Sequence, residues 1–405
     1  MEGQDKAMAS TQANVEAPEE TPSATGNLLV SLMPLPPDAL ETTLGNLALA
    51  FPTQTVLVAT PDAAPHISSG GPLRLLPYNS PTTSTSPWVL TASDYINTFR
   101  LAEEHQATAC VLLGPESHTL HPEAIRALAT PAVTFDLTVA RYHLGPHESL
   151  VNSAILYPIH RSLFSARPRF PLAIDLGLSR RMLERLYAVA QRFTAASQSD
   201  ALLWPVAEAV TANYSITQAD VGSRAIPQPV VSDLNSLLNQ IVGSLFAEVD
   251  AKAAFWQRAR SIPAPRLSPL EPAPVGDSPD VTSMLETFHL AYTNLHEIWS
   301  LVLPPNSLLG LKKLYVTSAA DFCMPDGLWT RIIYDFILAY RLRTINRGHL
   351  LGALTPLYLA WVASHLILTS TGTPPEQHIQ EQATAFEADK PYLVSRWRWP
   401  DRFNP

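Results

Sequence analysis

The sequence predicts an α/β fold, a mostly parallel sheet with helices on both faces, followed by an all-α C-terminal domain. Two observations carry this. Short apolar runs of strand character alternate with helical periods over the first 260 residues, and beyond a proline-rich stretch the pattern is helical almost without a break. Strands separated by helices need crossover connections, and these make neighbouring strands parallel. In such sheets ligands sit beyond the carboxyl ends of the strands.

The elements follow in order. Residues 1–26 are rich in Ala, Ser, Thr, Pro and Glu, too polar to offset chain entropy by burial, and are expected to form a disordered tail. They lack the basic start and apolar run of a signal peptide. NLLVSLMPL at 27–35 is strand-like, a helix follows over 37–50, and TVLVAT at 55–60 is a second buried strand. Pro, Ser, Thr and Gly fill 61–90, which predicts loops. An amphipathic helix over 92–105 leads to the strand ACVLLG at 109–114. Helices are expected over 121–129, 148–165, 179–196, with Ser179 as N-cap, and 201–213, then a short strand at 214–221. Leu234, Leu237, Leu238, Ile241, Leu245, Phe246 and Val249 share one face of a long helix over 232–260. Prolines mark 261–280 as a linker. Helices at 281–303, 307–321, 326–346, 349–370 and 375–388 then form the domain 281–405, beside the sheet domain 27–260.

Composition excludes several functions. A formal net charge of −9, from 27 Lys and Arg against 36 Asp and Glu, argues against a nonspecific nucleic-acid binder. Cys110 and Cys323 stand far apart without ligand spacing, which fits a reducing, cytoplasmic setting and excludes a disulfide scaffold or structural zinc site. Residues 350–369 are apolar over about the length of a membrane span, yet Pro356, His365 and the Ser and Thr among them favour a buried helix. That predicts no transmembrane span, and leaves peripheral membrane contact and a homo-oligomer open. In RWRWPDRF at 396–403, Trp397 and Trp399 are expected to pack as a strap while the arginines stay in water. No phosphate-cradling lysine loop, dinucleotide fingerprint, zinc helix or nucleophile elbow occurs.

The most informative stretch is 138–179. It contains Arg141-Tyr142-His143, Leu150-Val151-Asn152-Ser153, Tyr157-Pro158 and Ile174-Asp175-Leu176-Gly177-Leu178-Ser179. These segments resemble the central region of bacterial GT-A-fold glycosyltransferases, the group that includes glucosyl- and mannosyl-glycerate synthases, and the likeness extends more weakly over most of the chain. The resemblance implies a GT-A-like, Rossmann-like domain that transfers a sugar from a nucleotide-sugar donor to a small-molecule or glycan acceptor.

The resemblance also implies a divalent metal, held by paired aspartates after a central strand and by a later His, which bridges the donor diphosphate. Here Pro115-Glu116-Ser117-His118 offers one carboxylate, and Arg224-Ala225-Ile226-Pro227 offers no His. The expected cofactor set is therefore empty. Either side-chain cations and helix N-termini meet the diphosphate, or the chain is an inactive homologue that binds a sugar, nucleotide or protein. Available cations are Arg141, His143, Arg161, Arg167, Arg169, Arg180, Arg181 and Arg224. Asp175 is the candidate base toward an acceptor hydroxyl, with a helix or turn cap as its structural alternative. Asn152, Tyr157 and Glu148 could orient sugar hydroxyls. By the same resemblance Glu208 lies where relatives contact donor or acceptor, and Trp204 could stack on a sugar.

Overall fold

A computed structural model describes residues 27–61, 71–78, 89–226, 234–259 and 281–399. The expected tail and proline-rich linker lie outside them. Seven strands form one sheet in the order β3-β2-β1-β4-β6-β5-β7: β1 (Asn27–Leu32), β2 (Val56–Pro61), β3 (Leu73–Tyr78), β4 (Ala107–Leu113), β5 (Leu137–His143), β6 (Leu176–Ser179) and β7 (Ile216–Ser223). Only β6 runs against its neighbours, β4 and β5. The start of β6 therefore lies at the edge where the parallel strands end.

Three strands differ from expectation. Pro77 and the polar composition around β3 concealed a strand that pairs with β2 at the sheet's edge, where a missing N–H is tolerated. Residues 137–143, for which no strand was expected, form β5, whose buried Leu137, Val139 and Ala140 sit between β6 and β7. β6 has four residues, too few for a period to show.

The first helices are α1 (Pro37–Ala50), α2 (Ala92–Glu104), α3 (Pro122–Ala129) and α4 (Tyr157–Phe164). A wide, π-helical turn, Asn152–Leu156, precedes α4. Next come α5 (Arg180–Ala195), α6 (Pro205–Thr211), α7 (Leu234–Ala251) and α8 (Ala253–Trp256). Ser179 caps α5 as expected, its Oγ accepting from the Met182 N–H at 3.2 Å. Helices α1 and α3 pack together, as do α2 and α5. The C-terminal part comprises α9 (Thr282–Asn294), α10 (His296–Val302), α11 (Pro305–Val316), α12 (Asp326–Leu342), α13 (Arg347–Ser370) and α14 (Pro375–Arg398). It packs on the sheet region through α4 with α14 and α7 with α13, and one hydrophobic core runs through both.

Helix α13 is long and apolar enough to cross a membrane, and 83% of its most apolar window is buried inside the protein, as the sequence led us to expect. The strap is half as expected: Trp397 packs edge-on against Trp256 at 4.9 Å, but Trp399 is 64% exposed.

Two local features give measurable consequences. A Cβ on Gly177 would lie 2.4 Å from the Leu128 carbonyl oxygen, so β6 fits between β4 and β5 over α3 only without a side chain there. Gly177→Ala is expected to lower stability by about 1–3 kcal/mol through overpacking, read from the denaturant midpoint. His160 is fully buried in α4 and bonds the Leu156 carbonyl at 2.9 Å; burial pushes its pKa down to about 4, the hydrogen bond opposing. The unfolded chain then binds more protons than the folded one between about pH 6.5 and that value, so stability is lost as pH falls through this window. His160→Asn, which keeps a donor for Leu156, should flatten this slope in urea titrations; an unchanged slope would contradict the assignment.

Candidate functional site

The carboxyl edge of the sheet is organised around a buried ion pair. Asp175 stands just before β6 and Arg224 just after β7, and both side chains are fully buried. Arg224 donates from Nε to Asp175 Oδ2 at 2.9 Å and from Nη2 to Asp175 Oδ1 at 3.1 Å, a two-pronged contact. Its remaining N–H groups reach the Pro115 carbonyl at 2.6 Å, the Ala225 carbonyl at 3.0 Å and Thr119 Oγ1 at 3.3 Å. Asp175 also accepts from the Gly114 N–H at 3.0 Å and the Tyr142 hydroxyl at 3.1 Å. The Tyr142 oxygen in turn accepts the N–H groups of Ile174 and Asp175. Four chain segments, the ends of β4, β5 and β7 and the start of β6, are thus tied at one point.

Local sequence explains why they can meet. A Cβ on Gly114 would lie 2.8 Å from Ile174 Cβ and 2.9 Å from its carbonyl oxygen, so glycine lets the 174–175 backbone approach β4. After it the chain turns sharply, with Glu116 at φ 61°, a left-handed conformation that is uncommon outside glycine. Burial alone would lower the Arg224 guanidinium, and Asp175 beside it reverses this to a net rise. Tyr142 is pushed well up by burial first and then by the Asp175 charge.

The two segments to which the resemblance assigns a metal are therefore bridged by a guanidinium. The donor set does not fit a divalent cation: Asp175 is saturated by Arg224, Tyr142 and Gly114, and Glu116 faces His118 at 3.6 Å. Among the described residues no three His, Cys, Asp or Glu gather to hold one. Pro227, at the end of the second segment, lies outside the described residues.

The other expected site residues divide. Arg141 and His143 lie in the outgoing half of β5, at the same edge; Arg141 is half-buried, and His143 Nε2 is 3.0 Å from Asp220 on β7. Asn152 and Tyr157 both have partners within the fold. The Asn152 amide donates to the Arg169 carbonyl at 3.1 Å. Tyr157, 2% exposed, packs on Ile379 and Ala383 of α14 and donates to Gln380. Glu148 folds back on its own loop, accepting from the Gly145 N–H.

Glu208 is buried between Arg185 and Lys252, which neutralise it. Trp204, proposed to stack on a sugar, is 2% exposed and donates to Ser244 Oγ. Arg161, Arg169, Arg180 and Arg181 are all in ion pairs. Sequence reasoning missed Gly114 and Tyr142 as partners of Asp175. Tyr142 lay in the quoted motif, so the signal was present; Gly114 depended on a contact 61 residues away.

No family model matches the chain, and no curated protein matches it in sequence. Solved structures similar to it include glucosyl-3-phosphoglycerate synthase from Mycobacterium tuberculosis in complex with Mn2+, uridine diphosphate and phosphoglyceric acid, 15% identical, covering 56% of this chain and 79% of that one at a TM-score of 0.36. A mycobacterial protein is 13% identical, covering 56% of this chain and 75% of that one at a TM-score of 0.37. A putative nucleotide-diphospho-sugar transferase from Desulfovibrio desulfuricans is 10% identical, covering 56% and 95% at a TM-score of 0.28.

Proposed function

We propose that this protein binds a nucleotide sugar at the carboxyl edge of its sheet and transfers the sugar to a hydroxyl-bearing acceptor. The observation that carries the reading is the convergence at that edge. Segments 114–119, 174–177 and 222–225, remote in sequence and central to the family resemblance, meet at the Asp175–Arg224 pair. A guanidinium spans the place where the resemblance calls for a cation, which supports donor binding without a carboxylate-held metal. Because all five N–H groups of Arg224 are engaged, the proposed role of Arg224 and Asp175 is to position the surrounding backbone. Arg141 and His143 are the proposed cations toward the diphosphate.

A second reading has its own observation. The Asp175 carboxylate is occupied by four donors, so it is not offered to an acceptor hydroxyl as a base, and a binding module without transferase activity would have the same geometry. A thermal-shift screen against UDP-, GDP- and ADP-sugars separates the outcomes. At least one should raise the melting temperature, and Arg141→Ala should weaken that ligand by about 1–3 kcal/mol. No shift with any of the three would overturn the proposal. Binding without consumption of the donor in the presence of any acceptor would favour the module.

A further inference from the structure

Beneath the loop that leaves β5, four basic side chains from separate segments gather, and three of them, His147, Arg169 and His365, carry nitrogen atoms without a hydrogen-bond partner in the protein. His147 is on that loop, Arg169 follows α4, His365 lies on α13 and His378 in the first turn of α14. The Arg169 side chain is 5% exposed; its Nε bonds Glu376, Nη2 bonds Ser153 Oγ at 3.0 Å, and Nη1 has no partner. In His365, fully buried, Nδ1 is 2.7 Å from His378 Nδ1, while Nε2 has no partner at hydrogen-bond geometry and the Pro146 carbonyl beside the ring favours its protonated form. Both ring nitrogens of His147 are likewise buried and unpartnered. Trp361 stacks on His365 at 8° and on His378 at 16°, which fixes both rings.

Each unsatisfied buried polar group costs about 1–3 kcal/mol, so four such nitrogens in one place call for a common partner. Arg169 can only donate, whereas a neutral imidazole has one donor and one acceptor nitrogen and becomes donor-only when protonated, so an anion meets Arg169 directly and the imidazoles once they take up a proton. The carboxylates facing the cluster, Glu376 at Arg169 and Asp326 at His378, are 32% and 31% exposed. Water screens them, whereas Arg169 and His365 are enclosed. The interior is short of negative charge.

We propose that this cluster binds a small oxyanion, a carboxylate or phosphate group, together with a proton taken up by the imidazoles. Burial, with His378 adding to it, pushes the pKa of His365 down to about 3, so near neutrality it is uncharged. An anion at its Nε2 side acts in the opposite direction, favouring the imidazolium. One proton taken up with one anion makes affinity rise about tenfold for each unit by which pH falls. The cluster shares no residue with the Asp175–Arg224 pair, and the proposal stands whether or not sugar is transferred.

Calorimetry on the full chain tests this with sulfate, standing in for a phosphate group, and with acetate. Neither changes charge appreciably between about pH 5.5 and 7.5, so any proton uptake belongs to the protein. At least one anion should bind saturably, more tightly at lower pH, with a heat that differs between buffers of different ionisation enthalpy. Preference for sulfate would identify a phosphate group and preference for acetate a carboxylate. His365→Gln and His147→Gln should each weaken binding about tenfold or more, equivalent to losing one charge-assisted bond; His147, on a half-exposed loop, is the variant expected to fold unchanged. Absence of saturable heat with both anions at the acid end, as an internal water satisfying the cluster would give, overturns the proposal. So does binding indifferent to both pH and His147→Gln.

Discussion

Arg224→Ala is expected to destabilise the folded protein by about 3–5 kcal/mol, since removing one partner of a buried ion pair strands the other charge. Here the loss is compounded, because the guanidinium also holds the Pro115 and Ala225 carbonyls and the Thr119 hydroxyl. Arg224→Lys should recover only part of the stability, as an ammonium has three donors and no flat fork to match Asp175. Asp175→Asn should fall between these variants: its amide oxygen can still accept from Gly114, Tyr142 or Arg224, but the guanidinium charge is left uncompensated. Denaturant midpoints of the three variants give the ranking. A loss under about 1 kcal/mol for Arg224→Ala would mean that water already reaches the pair.

Trp329→Ala should be comparably severe, about 3–5 kcal/mol. Trp329 is fully buried on α12, stacks with Trp361 at 6.2 Å and donates from Nε1 to the Ala154 carbonyl at 2.9 Å. That carbonyl belongs to the π-helical turn 152–156, so the substitution both opens a cavity and leaves an acceptor of the turn unmet. Because the bond joins the C-terminal helices to the sheet region, native-state hydrogen exchange should accelerate on both sides of it. Acceleration confined to α12 would contradict the shared core.

The fold was legible where its physics is local. Apolar runs and helical periods placed β1, α1, β2, α2 and β4 within a few residues, and Ser179 was recognisable as a cap because capping depends on one side chain and the next turn. It was illegible where partners decide. β6 is four residues long and owes its existence to lying between β4 and β5, with Gly177 against Leu128; no local period could show it. At the candidate site Asp175 and Arg224 were both selected, but as a base and as a diphosphate cation. Their mutual pairing links positions 49 residues apart and emerges only when β6 and β7 are brought to one edge. The partners of Tyr157 and Glu208 were illegible for the same reason: the hydroxyl finds its acceptor on α14, and the carboxylate its cations beside α5 and α7.

On the proposed function, a nucleotide-sugar diphosphate is held at this edge without a carboxylate-bound metal. Calorimetry with the nucleotide sugar that gives the largest thermal shift, first in EDTA and then with Mn2+, tests it most directly. Binding is expected in EDTA, with an affinity that Mn2+ changes by no more than about twofold, under about 0.5 kcal/mol. Binding that appears only when Mn2+ is added would contradict it.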